Sequence, residues 1–146
     1  MSKFTMMVLP EQDAINLWDS TIWPLLAPAV MLSNGESTEA SLKQRVKLKD
    51  VAVVLAMFAG EPKLAFTLEV VEYDSGLRAL FLPFISGDGI AELLADCFEE
   101  LKQIARQSDC TEIRGMSVRH GWMRILKPMG WEPVHEIIKC NVEATP

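Results

Sequence analysis

The chain has 146 residues, 49% of them hydrophobic, which suits one domain with a real core. Charged residues make up 23%, an ordinary globular share, so nothing in the composition points to disorder or low complexity. The formal net charge of −6 disfavours broad binding to nucleic acid backbones, which needs a basic surface.

Phe4 to Leu9 reads as a short first strand ended by Pro10, and the apolar run there is too short for a signal peptide. Asp13 is placed to cap a helix from about Ala14, with Leu17, Trp18, Ile22 and Leu25 at helical spacing. Pro24 and Pro28 are expected to kink or divide it. The apolar stretch Ile22 to Leu32 falls well short of the ~20 residues of a membrane span. Ser33-Asn-Gly-Glu36 is a turn signal, and a second helix is expected from Ser37 or Thr38 to about Lys47, its Lys/Arg positions forming a solvated face.

Val51 to Phe58 is a continuous apolar run of strand length, suited to burial on both faces, although a short buried helix can read the same way. Gly60-Glu-Pro62 marks a turn. Lys63 to Tyr73 alternates Leu64, Phe66, Leu68 and Val70 against Ala65, Thr67, Glu69 and Val71, so the two runs form a hairpin. Asp74-Ser-Gly76 turns the chain into a third strand, Leu77 to Ile85, interrupted by Pro83.

Gly89 to Arg106 is the clearest helix, with Ile90, Leu93, Leu94, Cys97, Phe98, Leu101, Ile104 and Ala105 on one stripe. A short strand, Glu112 to Val118, follows. His120 to Met129 reads as a short helix ended by Pro128 and Gly130, and Trp131 to Val142 as a final strand. The order β-α-α-β-β-β-α-β-α-β describes an α/β chain, a mixed sheet with helices on both faces. No repeat or linker divides residues 1–146, so they read as a single domain.

Cys97, Cys110 and Cys140 are odd in number and lack CxxC spacing, which argues against a disulfide framework and against a zinc site. Three reduced thiols and a cytoplasmic location are the expectation. No other metal-ligand spacing exists.

Two local sequences carry a resemblance. Ser86-Gly-Asp-Gly89-Ile-Ala91 stands at a strand-to-helix junction, and Trp122-Met-Arg-Ile-Leu126-Lys-Pro-Met-Gly130-Trp131 forms the late helix and the entry to the last strand. With the element order, they resemble the GNAT superfamily of N-acetyltransferases over nearly the whole chain. The family carries Arg/Gln-x-x-Gly-x-Gly/Ala at the first place, leaving backbone N–H groups bare for the pyrophosphate of coenzyme A. Gly89 and Ala91 match. Ser86 stands where Arg or Gln is usual, and Asp88 adds a negative charge. The late helix is similar to Ala-x-x-Leu-Tyr-x-x-x-Gly-Phe, which puts Leu126 where the family often has its proton-donating tyrosine.

The resemblance implies acetyl-coenzyme A as cosubstrate, with no metal. Its pantetheine arm would lie against the backbone of Leu82, Phe84 and Ile85, beyond a bulge at Pro83, and its pyrophosphate at Ser86, Gly87, Gly89 and Ala91. Acyl transfer to an amine needs a proton acceptor, and Glu69, Glu72 and His120 are the candidates. The acceptor is a small-molecule or protein amine. Arg119-His120-Gly121-Trp122 and Arg124 also resemble small GNAT-like proteins of tailed phages, some of them virion components. That implies an alternative: a catalytically degenerate protein, in the host cytoplasm or the virion, that docks a partner through Arg119 and Arg124. Trp18, Trp23, Trp122 and Trp131 are either core or pocket lining.

Overall fold

The computed structural model describes residues 3–33, 35–85, 89–116, 122–143 and 145. Five strands form one mixed sheet in the order β1 (Phe4–Leu9), β2 (Ala52–Phe58), β3 (Glu61–Glu72), β4 (Arg78–Leu82), β5 (Glu112–Gly115). Neighbours are antiparallel except β4 and β5, which run parallel with Ala79 opposite Glu112 and Leu82 opposite Gly115. The β2–β3 turn is tight because Ala59 and Gly60 both take positive φ, 53° and 81°.

Helices cover both faces. On one lie α1 (Glu11–Asn16), a π-helical turn (Trp18–Ile22), α2 (Trp23–Met31) and α3 (Glu39–Lys47). Their Ala14, Trp18, Ile22, Leu26, Leu42 and Val46 pack against Val53 and Leu55 of β2 and Ala65 of β3. On the other face lie α4 (Ile90–Asp96), α5 (Phe98–Gln107) and α6 (Trp122–Leu126), the last followed by a 3-10 turn over Lys127–Met129. Leu93, Leu94, Leu101 and Leu126 pack there against Val54, Phe66 and Leu80. Alternation along β2 therefore feeds two cores, which explains the unbroken apolar run.

The helix boundaries differ from the sequence reading at three places. The first helix begins at Glu11, after Pro10, so Asp13 lies inside it and is not its cap. Pro24 sits at the start of α2, where its missing N–H costs little, and Pro28 is accommodated within that helix. The chain widens just before it, where Ile22 N–H donates to Leu17 C=O at 3.0 Å. The long helix is split at Cys97, whose ψ of 14° interrupts it. The apolar stripe survives because Leu101 N–H still bonds Cys97 C=O at 3.0 Å. The second helix starts where expected, with Thr38 capping α3 in a reciprocal box with Ser41.

The largest departure is at the C-terminus. Trp131 to Val142 forms no strand: residues 132–143 are exposed and pair with no other strand. A strand needs a neighbour to satisfy its peptide groups, and periodicity alone does not supply one. Gly130, at φ 95°, is the left-handed cap that ends the α6 region.

Cys97 is buried, and burial first, then the Glu100 and Asp96 carboxylates, pushes its thiol up to about 12. Cys110 is buried too, and Cys140 is exposed. A thiol reagent at pH 8 is expected to modify one cysteine in the native protein and three after denaturation. Rapid reaction of more than one native thiol would contradict this core. The folded thiol keeps its proton to higher pH than the unfolded one, so its contribution to stability is lost as pH rises from 9 towards about 12. Urea unfolding should also show that Phe66→Ala costs about 3–5 kcal/mol. Thr38→Ala, a lost cap, should cost roughly 1 kcal/mol.

Candidate functional site

Pro83 has no N–H to continue a ladder, and β4 changes register there. Glu69 pairs with Phe81, whereas Phe66 pairs with Ile85, so the β4 side carries one extra residue between the two pairings. The inserted residue inverts the side-chain alternation. Leu80, Leu82 and Ile85 all join the core under α4 and α5, while Phe84 joins the core under α1 to α3.

The bulge also decides where the backbone groups point. Leu82 C=O accepts from Met116 N–H at 3.4 Å, and Phe84 C=O accepts from Thr67 N–H at 3.2 Å. The first is thus spent on the β5 side and the second on β3. By alternation, the peptide groups of Ile85 turn away from β3, towards the β5 side. Of the three residues assigned to the pantetheine arm, Ile85 alone has its backbone turned there without a bond to β3 or β5 among the described residues.

Gly89 precedes α4 with φ 87°, a conformation that glycine takes without penalty. A Cβ there would lie 3.2 Å from the Phe4 ring, so the position also needs a small residue for packing. Ala91, in the first turn of α4, is buried. Glu92 places a carboxylate in the same turn. The expectations resting on Ser86, Gly87, Asp88, Arg119 and His120 lie outside the described residues.

The two carboxylate candidates are on β3, on different faces. Glu69 shares the parity of Ala65, which faces α1 to α3, and its side chain is 13% exposed. Arg45 of α3 forms an ion pair with it. Glu72 is 63% exposed and lies 3.8 Å from Arg78. The sequence reading put Arg45 on a solvated face; no local signal links it to Glu69, because the contact depends on how α3 packs on the sheet. Leu126, where the resemblance expects a tyrosine, is buried in the core under α4, and Arg124 is exposed. Among the described residues, no group of three or more His, Cys, Asp or Glu could hold a metal ion. None of the described helices is long and apolar enough to cross a membrane.

Comparison with known proteins gives two negative results and one positive. No family model matches the chain, and no curated protein matches it. Solved structures do match. A probable acetyltransferase is 16% identical, with 99% of each chain covered and a TM-score of 0.60. A ribosomal-protein-alanine N-acetyltransferase from Brucella melitensis biovar Abortus 2308 is 14% identical, covering 95% of this chain and 99% of its own, with a TM-score of 0.61. An aminoglycoside N-acetyltransferase in complex with CoA is 14% identical, covering 99% and 97%, with a TM-score of 0.59. The five-stranded mixed sheet, with its parallel β4–β5 pair and helices on both faces, is the fold of the GNAT acetyltransferases.

Proposed function

We propose that the protein is an acyl-coenzyme A-dependent N-acyltransferase that passes an acetyl group directly to a bound amine. The observation that carries this reading is the Pro83 bulge, which turns the Ile85 backbone away from β3 just before glycine-capped α4. The fold is shared with acetyltransferases, one of them holding CoA. The residues present fit the cosubstrate in part. Ile85 offers backbone groups for the arm, and the Gly89-Ile-Ala91 junction offers small residues at a helix start. Asp88 and the Glu92 carboxylate act against a pyrophosphate there.

Acetyl-coenzyme A, when bound, supplies the activated thioester. In the transfer the amine nitrogen bonds to the thioester carbonyl carbon, the C–S bond breaks, and coenzyme A leaves as the thiolate. The amine must first give up its proton. Glu69 is the residue for this, on the face covered by the N-terminal helices, with Arg45 holding its carboxylate in place. Glu72, on the other face of β3 and open to solvent, is the alternative base. The departing thiolate takes its proton from water, because Leu126 has none to give. His120 stays a candidate for the same proton traffic. The acceptor class is a small-molecule or protein amine.

A second reading is favoured by the same Leu126 and by the Arg45–Glu69 pair, which engages the best-placed carboxylate. In it the chain is a catalytically degenerate member of the fold, phage-encoded, docking a protein partner through Arg119 and Arg124.

Calorimetric titration with acetyl-coenzyme A separates the two. The enzyme reading expects saturable binding, and Asp88→Asn should tighten it by about 1 kcal/mol or less, an effect that added salt shrinks. No heat from either form at millimolar acetyl-coenzyme A leaves the contact reading. If binding is found, Glu69→Gln should lower kcat by about 10²–10⁴-fold while leaving the binding heat in place. An unchanged kcat would remove Glu69 from the mechanism.

A further inference from the structure

Along β3, the face under α1 to α3 is fully buried at Ala65 and Thr67 and opens from Glu69 onwards. Glu69 stands opposite Phe81 of β4, and Val71 follows two residues later on the same face. Val71 and Phe81 are only half-buried, so an apolar surface lies open beside the Glu69 carboxylate. Arg45 reaches this place from the last turn of α3.

The polar groups around this surface are not all in use. Arg114 of β5, opposite Phe81, is occupied: its Nε donates to the Glu112 carboxylate at 2.8 Å, and its guanidinium lies 4.7 Å from the Tyr73 ring centroid. Arg45 is different. It donates to Glu69 through Nη2, and among the described residues its Nη1 and Nε have no partner. Its side chain is 40% exposed, so these free donors reach solvent beside the ion pair. Thr67, two residues before Glu69 on the same face, is fully buried, and its hydroxyl has no partner among the described residues. A valine of the same shape would spare the cost of burying that hydroxyl. The fold thus keeps an unspent donor next to Glu69 on one side and an unspent guanidinium fork on the other.

We infer that the amine acceptor is a free α-amino acid with an apolar side chain, and that Arg45 is the residue that selects it. This rests on the acyl-transfer reading and names the substrate class for it. The free donors of Arg45 take the acceptor's carboxylate, and Glu69 takes its ammonium group. Arg45 and Glu69 are in direct contact, so the two charges of the ligand must also be close together, as they are on a single α-carbon. The apolar side chain lies over Val71 and Phe81. A polycation is disfavoured, because the one carboxylate at this place already has a guanidinium beside it. The ammonium proton passes to Glu69, the freed nitrogen bonds to the thioester carbon, and the C–S bond breaks. The products are an N-acetyl amino acid and coenzyme A, whose thiolate takes a proton from water.

The test compares acceptors that differ only at the carboxylate, with acetyl-coenzyme A as donor and the N-acetyl product followed by mass spectrometry. L-leucine is set against 3-methylbutylamine and L-leucine methyl ester, and L-phenylalanine against 2-phenylethylamine. Each free amino acid is expected to exceed its carboxylate-free counterparts by about a hundredfold in kcat/KM. In Arg45→Gln that ratio should fall to near one, chiefly through a higher KM for the amino acid, and Arg45→Lys should restore part of it. The comparison of acceptors on the wild type needs no variant, so it decides the matter even if Arg45→Gln fails to fold. Equal rates with and without the carboxylate would overturn the inference while leaving acyl transfer in place. So would a wild type that binds acetyl-coenzyme A but acetylates neither amino acid, or a ratio that survives Arg45→Gln. A wild type that binds no acetyl-coenzyme A would overturn the acyl-transfer reading and this inference with it.

Discussion

The proline that follows β4 sets what the rest of the molecule can do. Pro83 cannot donate to a neighbouring strand, and the extra residue beside it reverses the inward and outward alternation. Without that reversal, Ile85 would leave the core under α4 and α5, and Phe84 would leave the opposite one. The two cores are therefore tied together through the adjacent Phe84 and Ile85. The same reversal turns the Ile85 backbone away from β3, so a feature that completes the packing also frees backbone groups just before α4.

The elements that could be read from the sequence are those whose signal is local. β3 alternates with period two, and a glycine, Gly60, marks the turn that joins it to β2. Thr38 announces α3 because its cap is made within four residues. Gly130 announces the end of the α6 region for a similar reason. The features that could not be read depend on partners far along the chain. Cys97 interrupts the long helix while its thiol points at Phe4 C=O, 3.5 Å away and 93 residues distant. Arg45 looks like a solvated cation until α3 packs on the sheet and brings Glu69 to it. Pro28 resembles a helix breaker, and tertiary packing of Leu26 and Val30 overrides it.

The candidate site shows the same division. Its backbone part, the bulge and the glycine before α4, was legible because proline and glycine restrict geometry wherever they stand. Its side-chain part was not. Glu69 and Glu72 are three residues apart in one strand, yet Glu69 is nearly covered and ion-paired while Glu72 is open to solvent. Their chemical difference comes entirely from what packs on each face of β3. Leu126 makes the point from the other direction. It satisfies the core so well that a polar replacement there would need a partner of its own.

The two edges of the sheet are unlike, and this asymmetry limits how the molecule can assemble. At the β1 edge, Phe4 N–H is already tied to the Asp96 carboxylate at 2.9 Å, and Pro10 ends the strand at its other end. Among the described residues β5 has no comparable tie along its outer row, and residues 130–134 line the groove beside it. A protein with two competent edges could add copies without limit. The β1 edge is tied at its first residue, whereas the outer row of β5 pairs with no strand among the described residues.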